Sequence, residues 1–223
     1  IRGGGAFVNG KATISGALIE GNVASRGDGG GIWAQTVVMS GTHLISNEAT
    51  HLFLIGGYGG GLFAYGAELN DVYAFGNQAG RDGGGAFVNT FVMRGGQFEK
   101  NGATLHGGGI SGASFDITGT SFVSNTAQSG GGVSSSGKSS MIDVQFADNY
   151  ASLCGGGLYS GGVPITLVDT QFRENQAQSG GGACADGGSA TIFGSVFTNN
   201  LAVGGGGGGL FVSEGASLSG TQF

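Results

Sequence analysis

Carboxylates, imidazoles, thiols and hydroxyls that share a face are the raw material of a chemical site, and this 223-residue chain offers a few such sets. Asp71, Asp143 and Asp169 occupy one phase of a repeating pattern in which other copies carry glycine, with Arg173 and Glu174 beside the last of them. Carboxylates clustered with a cation are what polysaccharide-cleaving enzymes use for acid–base work. Asp143 and Asp169, one repeat apart, are also a weak candidate pair for calcium, short of the roughly six oxygen ligands that ion takes. The same alternation of Asp with Gly is what a tight corner produces. Thr42, Thr120, Thr170 and Thr221 share another phase, and an outward rank of threonines on a flat face can order ice. Ala17, Val72, Gly96, Val144 and Ser195 interrupt that rank. His43, His51 and His106 fall in unrelated phases, which gives no metal spacing. No Ser/His/Asp set shares a context, no phosphate-cradling glycine loop opens a helix, and no Asn-x-Ser/Thr sequon occurs. The reading expects no catalytic residue and no cofactor.

The elements that must position these residues come from a repeat. Gly-Gly-Gly triplets end at Gly5, Gly31, Gly61, Gly85, Gly109, Gly132, Gly157, Gly182 and Gly209, at spacings of 23 to 30 residues. Between them runs Asn-x-Ala, with Asn22, Asn47, Asn77, Asn101, Asn125, Asn149, Asn175 and Asn200 each followed two residues later by alanine. Eight residues before each asparagine stands an aliphatic residue, from Ile14 and Met39 through to Ile192. Three before it stand Ile19, Leu44 and Ala74, then Phe98, Phe122, Phe146, Phe172 and Phe197. Directly after each triplet, Ala6, Ile32, Leu62 and their successors alternate with a second small or apolar residue, the period of a half-buried strand.

A unit of about 25 residues with three short alternating stretches cannot bury its own apolar side, whereas stacked copies can. Coils about 4.8 Å apart place same-phase residues over one another. The expected fold is all-β, a right-handed parallel β-helix of about nine coils, running as one continuous array over 1–223 on the order of 40 Å long. Phe, Ile and Leu columns fill its interior. The asparagines form a ladder at a corner, bonding backbone of their own and adjacent coils. The glycine triplets make the other corner, where positive φ or close approach between coils excludes a Cβ.

Function is then sought where the repeat breaks or its outward positions are unusual. The link from Asn47 to Gly61 is longer than its counterparts, and residues 50–58 form an apolar insertion containing Leu52, Phe53, Leu54, Ile55 and Tyr58. Two residues past the triplets runs an outward column of Phe7, Trp33, Phe63 and Phe87, continued by Ser111, Ser134, Tyr159, Cys184 and Phe211. Four consecutive outward aromatics beside an apolar insertion predict an exposed patch. Trp33 and Phe63 are expected to touch the Leu52–Tyr58 insertion or a partner, and the four aromatics with the insertion are the candidate binding residues. Cys154 and Cys184 lie on adjacent coils about five positions out of register. That offset disfavours a disulfide unless the corner folds back.

Composition narrows the class. Glycine accounts for 53 residues and proline for one, which excludes collagen, and a helical protein would lose about 1 kcal/mol at each interior glycine. Fifteen Phe with a net charge of −6 exclude a disordered chain. A pI near 4.8 with 8 Lys+Arg argues against a nucleic-acid partner, and no apolar run is long enough for a transmembrane helix. The start at Ile1-Arg2 and the stop in the Phe column are what a segment of a longer or processed chain would show.

The pairing of Gly-Gly-small-aliphatic with Phe-x-x-Asn resembles the repeats of chlamydial polymorphic outer-membrane proteins and the wider group of secreted bacterial right-handed β-helix repeat proteins. The chain departs by having glycine at the third triplet position and by lacking Phe in the first three copies. The resemblance implies a secreted or surface-displayed solenoid used for adhesion, with no catalytic residues to carry over. The expected function is a non-enzymatic extracellular binding scaffold or rigid spacer, with a fibre or appendage component as the alternative and a polysaccharide-active enzyme or an ice-binding protein as remoter ones. Its expected partners are other copies, flanking parts of the same chain, a glycan or a host surface.

Overall fold

In the computed structural model of the chain, residues 2–52 and 55–223 are described, and every regular element among them is a β-strand. Three parallel sheets run the length of the stack, each built from one segment per coil. The first begins with long strands, Ala6–Ser15, Ile32–Ser40, Leu62–Asn70 and Ala86–Arg94. From the fifth coil on it divides into two shorter strands per coil, as at Ile110–Gly112 and Ser114–Thr118. The second sheet has eight three-residue strands from Leu18–Glu20 to Val196–Thr198, and the third has eight from Val23–Ala24 to Leu201–Ala202. The result is a parallel β-solenoid of eight complete turns and a partial ninth.

The interior is filled by like stacked on like. Phe98, Phe122, Phe146, Phe172 and Phe197, with Phe223 exposed at the end of the column, follow one another with ring centroids 4.6–5.6 Å apart, the spacing of the coils themselves. Rings at that separation combine apolar burial with a favourable offset stack, each pair adding roughly 0.5–1.5 kcal/mol beyond its area. Along a long strand such as Ile32–Ser40, core residues are Ile32 and Ala34, then Val37 and Met39. The slip of one residue between these pairs turns the chain around the core while keeping an apolar side chain inward on each limb.

The asparagine ladder is closed at every rung. Asn125 donates from Nδ2 to Asn149 Oδ1 at 3.0 Å and to Phe98 O at 2.8 Å, and its Oδ1 accepts from both the backbone N and Nδ2 of Asn101. The same pattern runs from Asn22 to Asn200. The asparagine does not take the left-handed corner conformation. That falls to the residue just before it: Ser46, Lys100, Ser124, Asp148, Glu174 and Asn199 have φ of 51–56°, and glycine stands there at Gly21 and Gly76. The ladder asparagine can then turn its whole amide inward.

A second left-handed corner accounts for the aspartates. Asp71, Asp143 and Asp169 have φ of 49–54°, and Gly16, Gly41, Gly95, Gly119, Gly194 and Gly220 hold the same position in other coils. Asp and Gly alternate there because both tolerate αL. Asp143 and Asp169 are exposed at this corner, and no three His, Cys, Asp or Glu among the described residues come together to hold a metal ion.

The threonine rank is a correction. Thr42, Thr120 and Thr170 are fully or almost fully buried, and their hydroxyls bond main-chain oxygens of their own turn. They point inward in a column shared with Val72 and Val144, so they present no flat face to ice.

The triplets serve as both kinds of corner. In Gly29–Gly31, Gly29 has φ 68°, while a Cβ on Gly30 would sit 2.3 Å from Gly60 O and one on Gly31 would sit 2.5 Å from Gly61 O in the next coil. Only the absence of a side chain allows the coils to approach this closely.

Candidate ligand-binding cleft

Where each triplet leads into the first sheet, two columns of side chains meet on the outside of the solenoid. One is the column two residues past the triplet. Strand register places Phe7, Trp33, Phe63, Phe87, Ser111, Ser134, Tyr159, Cys184 and Phe211 over one another in that order. The other is the residue just before the triplet, which sequence reasoning missed: Arg2, Asp28, Tyr58, Asp82, His106, Ser129, Cys154 and Ser179. The left-handed first glycine folds this residue back toward the outer column. A Cβ on Gly107 would lie 2.8 Å from Ser111 Cβ, and one on Gly180 would lie 3.0 Å from Cys184 Cβ.

In the first four coils the trough between these columns is full. Phe7, Trp33, Phe63 and Phe87 stack at 4.8, 5.8 and 5.5 Å. Tyr65 presents its edge to Trp33 and Phe63, the Arg2 guanidinium lies 4.8 Å from the Trp33 ring, and Tyr58 packs 4.8 Å from Phe87 and 6.4 Å from Phe63. The aromatic column does face away from the core, since Trp33 sits between core residues Ile32 and Ala34. It is not the open patch expected of it. Trp33 is 1% and Phe63 7% exposed, because neighbouring rings and Arg2 cover them, and only Phe7 at the first coil stays half-exposed.

The insertion contributes through its far end. His51–Leu52 pairs antiparallel with Ile55–Gly56, so Leu52 and Ile55 belong to a small hairpin, while Phe53 and Leu54 lie outside the described residues. Tyr58 follows the hairpin. Its backbone N donates to Asp28 Oδ1 at 3.2 Å, which fixes the ring over the aromatic stack.

At the other end of the trough a disulfide joins the two columns. Cys154 and Cys184 are bonded, with Cα atoms 5.8 Å apart. The corner does fold back: the offset along the strands that disfavours a bond is cancelled when the residue before the triplet turns onto the outer column.

Between the filled section and the disulfide the outer column shrinks to Ser111 and Ser134, leaving a cleft of about 290 Å³. Phe87 closes one end and Tyr159 the other, with the His106 ring nearly parallel to Tyr159 at 6.2 Å. Asp82 and His106 form its side wall. Asp82 is buried, and its Oδ1 accepts from the His106 backbone N at 3.0 Å. Burial pushes the Asp82 carboxyl above its ordinary range, against the pull of His106 and Arg81. Burial likewise raises the Tyr159 phenol, helped by Asp186. His106 Nδ1 is buried and has no hydrogen-bond partner among the described residues.

The cleft thus gathers Asp82 and His106 with Ser111 and Ser134, which looked unrelated in sequence because they belong to two different phases. Among the described residues no side-chain hydrogen bond links Ser111 or Ser134 to His106. The signal that would have found the cleft is the column before the triplets, read alongside the column after them.

No protein-family model matches the chain, and no curated protein and no solved structure matches it. Among the described residues no helix is long and apolar enough to cross a membrane.

Proposed function

We propose that the chain is a non-enzymatic, extracellular or surface-displayed binding scaffold: a rigid solenoid with a ligand-sized cleft on its outer face. One observation carries the reading, the interruption of an otherwise filled trough at Ser111 and Ser134. A purely structural spacer has no reason to open its outer column at one place while stacking aromatics over four coils before it. The size and mixed character of the opening suit a small molecule or one unit of a polymer, being at the low end of pockets of about 300–1,000 Å³ lined by aromatics with a few polar groups. The Cys154–Cys184 bond supports an oxidising, extracellular location. The stacked core and closed asparagine ladder support rigidity, the property a presenting scaffold needs.

The test is to fill the gap. Ser134→Phe continues the outer column with a ring beside Tyr159, and Ser111→Phe does the same on Phe87. Ligand-observed NMR with a mixed set of small probes (phenol, indole, choline, neutral and acidic oligosaccharides) is run on the wild type and on both variants. The reading expects at least one probe to bind the wild type and to lose binding in both folded variants. If no probe shows binding that the filling substitutions remove, the cleft is not a binding site.

A further inference from the structure

We infer that the ligand of this cleft is a neutral sugar unit. The inference rests on the proposed binding role of the cleft and adds the chemistry of what it holds. A pyranose ring has a C–H face and a rim of hydroxyls, and the cleft supplies a counterpart to each. Phe87 and Tyr159 are flat apolar surfaces set at its two ends, and aromatic rings of this kind give large contact area at low conformational cost. Ser111 and Ser134 make a hydroxyl floor, and the Asn89 amide stands at the mouth. Each of these groups both donates and accepts, as sugar hydroxyls require.

The His106 ring also lines the cleft and lies nearly parallel to Tyr159 at 6.2 Å, adding a further flat face for a C–H surface to rest against. The volume of about 290 Å³ leaves room for one or two rings rather than a long stretch of chain.

Charge selects against the other classes. No Lys or Arg lines the cleft, Asp82 does, and the chain as a whole carries −6, so an acidic sugar, a phosphate or a nucleic acid meets an unfavourable field. A cationic ligand would need Asp82 as a free counter-charge, but its Oδ2 lies 3.8 Å from Arg81 Nε and its Oδ1 already accepts from the His106 backbone.

Four saccharides decide the matter: cellotriose, maltotriose and N-acetylchitotriose as neutral probes and trigalacturonate as the acidic one, with indole and choline as non-sugar controls. The expected result is saturation transfer to at least one neutral saccharide and to neither control nor trigalacturonate. Tyr159→Ala should weaken that binding roughly five- to tenfold, the worth of one aromatic contact, with thermal unfolding followed in parallel to show the variant folded. Ser134→Phe should abolish it. Binding of indole, choline or trigalacturonate that Ser134→Phe removes, with no neutral saccharide bound, overturns the sugar assignment and leaves the scaffold reading standing. Absence of any Ser134→Phe-sensitive binding overturns both.

Discussion

The same trough is filled in the first four coils and open in the next two, although strand register, asparagine ladder and core run through both. Over Phe7 to Phe87 the outer column is a closed aromatic stack roofed by Arg2, Tyr58 and Tyr65. Over Ser111 and Ser134 it is a cleft, and beyond Tyr159 a disulfide ties the two walls together. The difference shows where this architecture is free to vary. Inner columns and corners specify the coil, and an outer column can be exchanged from ring to hydroxyl while parallel pairing continues at Phe87–Ser111, Ser111–Ser134 and Ser134–Tyr159.

The deepest break is predicted in what the two regions share. Asn125→Ala leaves the backbone N and Nδ2 of Asn101 without their acceptor and strips Phe98 O of its donor. With two buried donors at roughly 1–3 kcal/mol each, urea denaturation should register a loss of about 4 kcal/mol. A loss below 1 kcal/mol would mean the ladder is incidental.

Within the outer column the two regions should part. Trp33→Ala removes a ring that is 1% exposed and stacked on both sides, and a loss of about 3 kcal/mol is expected, the low end for a buried Trp. Ser134→Ala, in the same column over the cleft, should change stability by less than about 0.5 kcal/mol. Equal effects at the two positions would erase the contrast.

Breaking the tie at the far wall comes next. Cys154→Ser with Cys184→Ser opens a loop of 30 residues, and a cost of about 2 kcal/mol in thermal unfolding is expected. Ellman titration of the denatured, unreduced wild type should find no free thiol, and two free thiols would refute the bond.

The smallest effect is a pH dependence. The folded Asp82 holds its proton more tightly than the unfolded residue, so this group makes the protein less stable as pH rises from the ordinary carboxylate value of 3.8 through the folded one. Asp82→Asn keeps an oxygen to accept from the His106 backbone and removes the charge. It should therefore raise the melting temperature slightly at pH 7, and the gain should fade as pH drops toward 3.8. A melting temperature lowered at pH 7 would show that the ionised carboxylate is wanted there.

Much of the fold was legible because a β-solenoid writes each structural role into one phase of its repeat. Phe122 and Phe146 could be placed over each other by counting back from Asn125 and Asn149, and the structure stacks them 5.2 Å apart. Counting could not say which neighbour of the asparagine bends the chain, since Ser124 and Asn125 both suit a turn; backbone φ puts the left-handed residue at Ser124. Nor could it tell an inward Thr170 from an outward one, because the strand slips phase at the corner before it. The cleft and the disulfide were hidden for a common reason. Each joins a residue before a triplet to one after it, and only the fold-back at the first glycine brings Cys154 to Cys184 or His106 to Tyr159.

The contrast between filled and open trough can be read directly by mapping the amide chemical-shift changes that N-acetylchitotriose, cellotriose or maltotriose causes in the ¹⁵N-labelled protein. The account predicts that the changes cluster at Phe87, Asn89, His106, Ser111, Ser134 and Tyr159 and spare Phe7, Trp33 and Phe63. Changes centred on the aromatic stack, or no changes with any of the three, would contradict it.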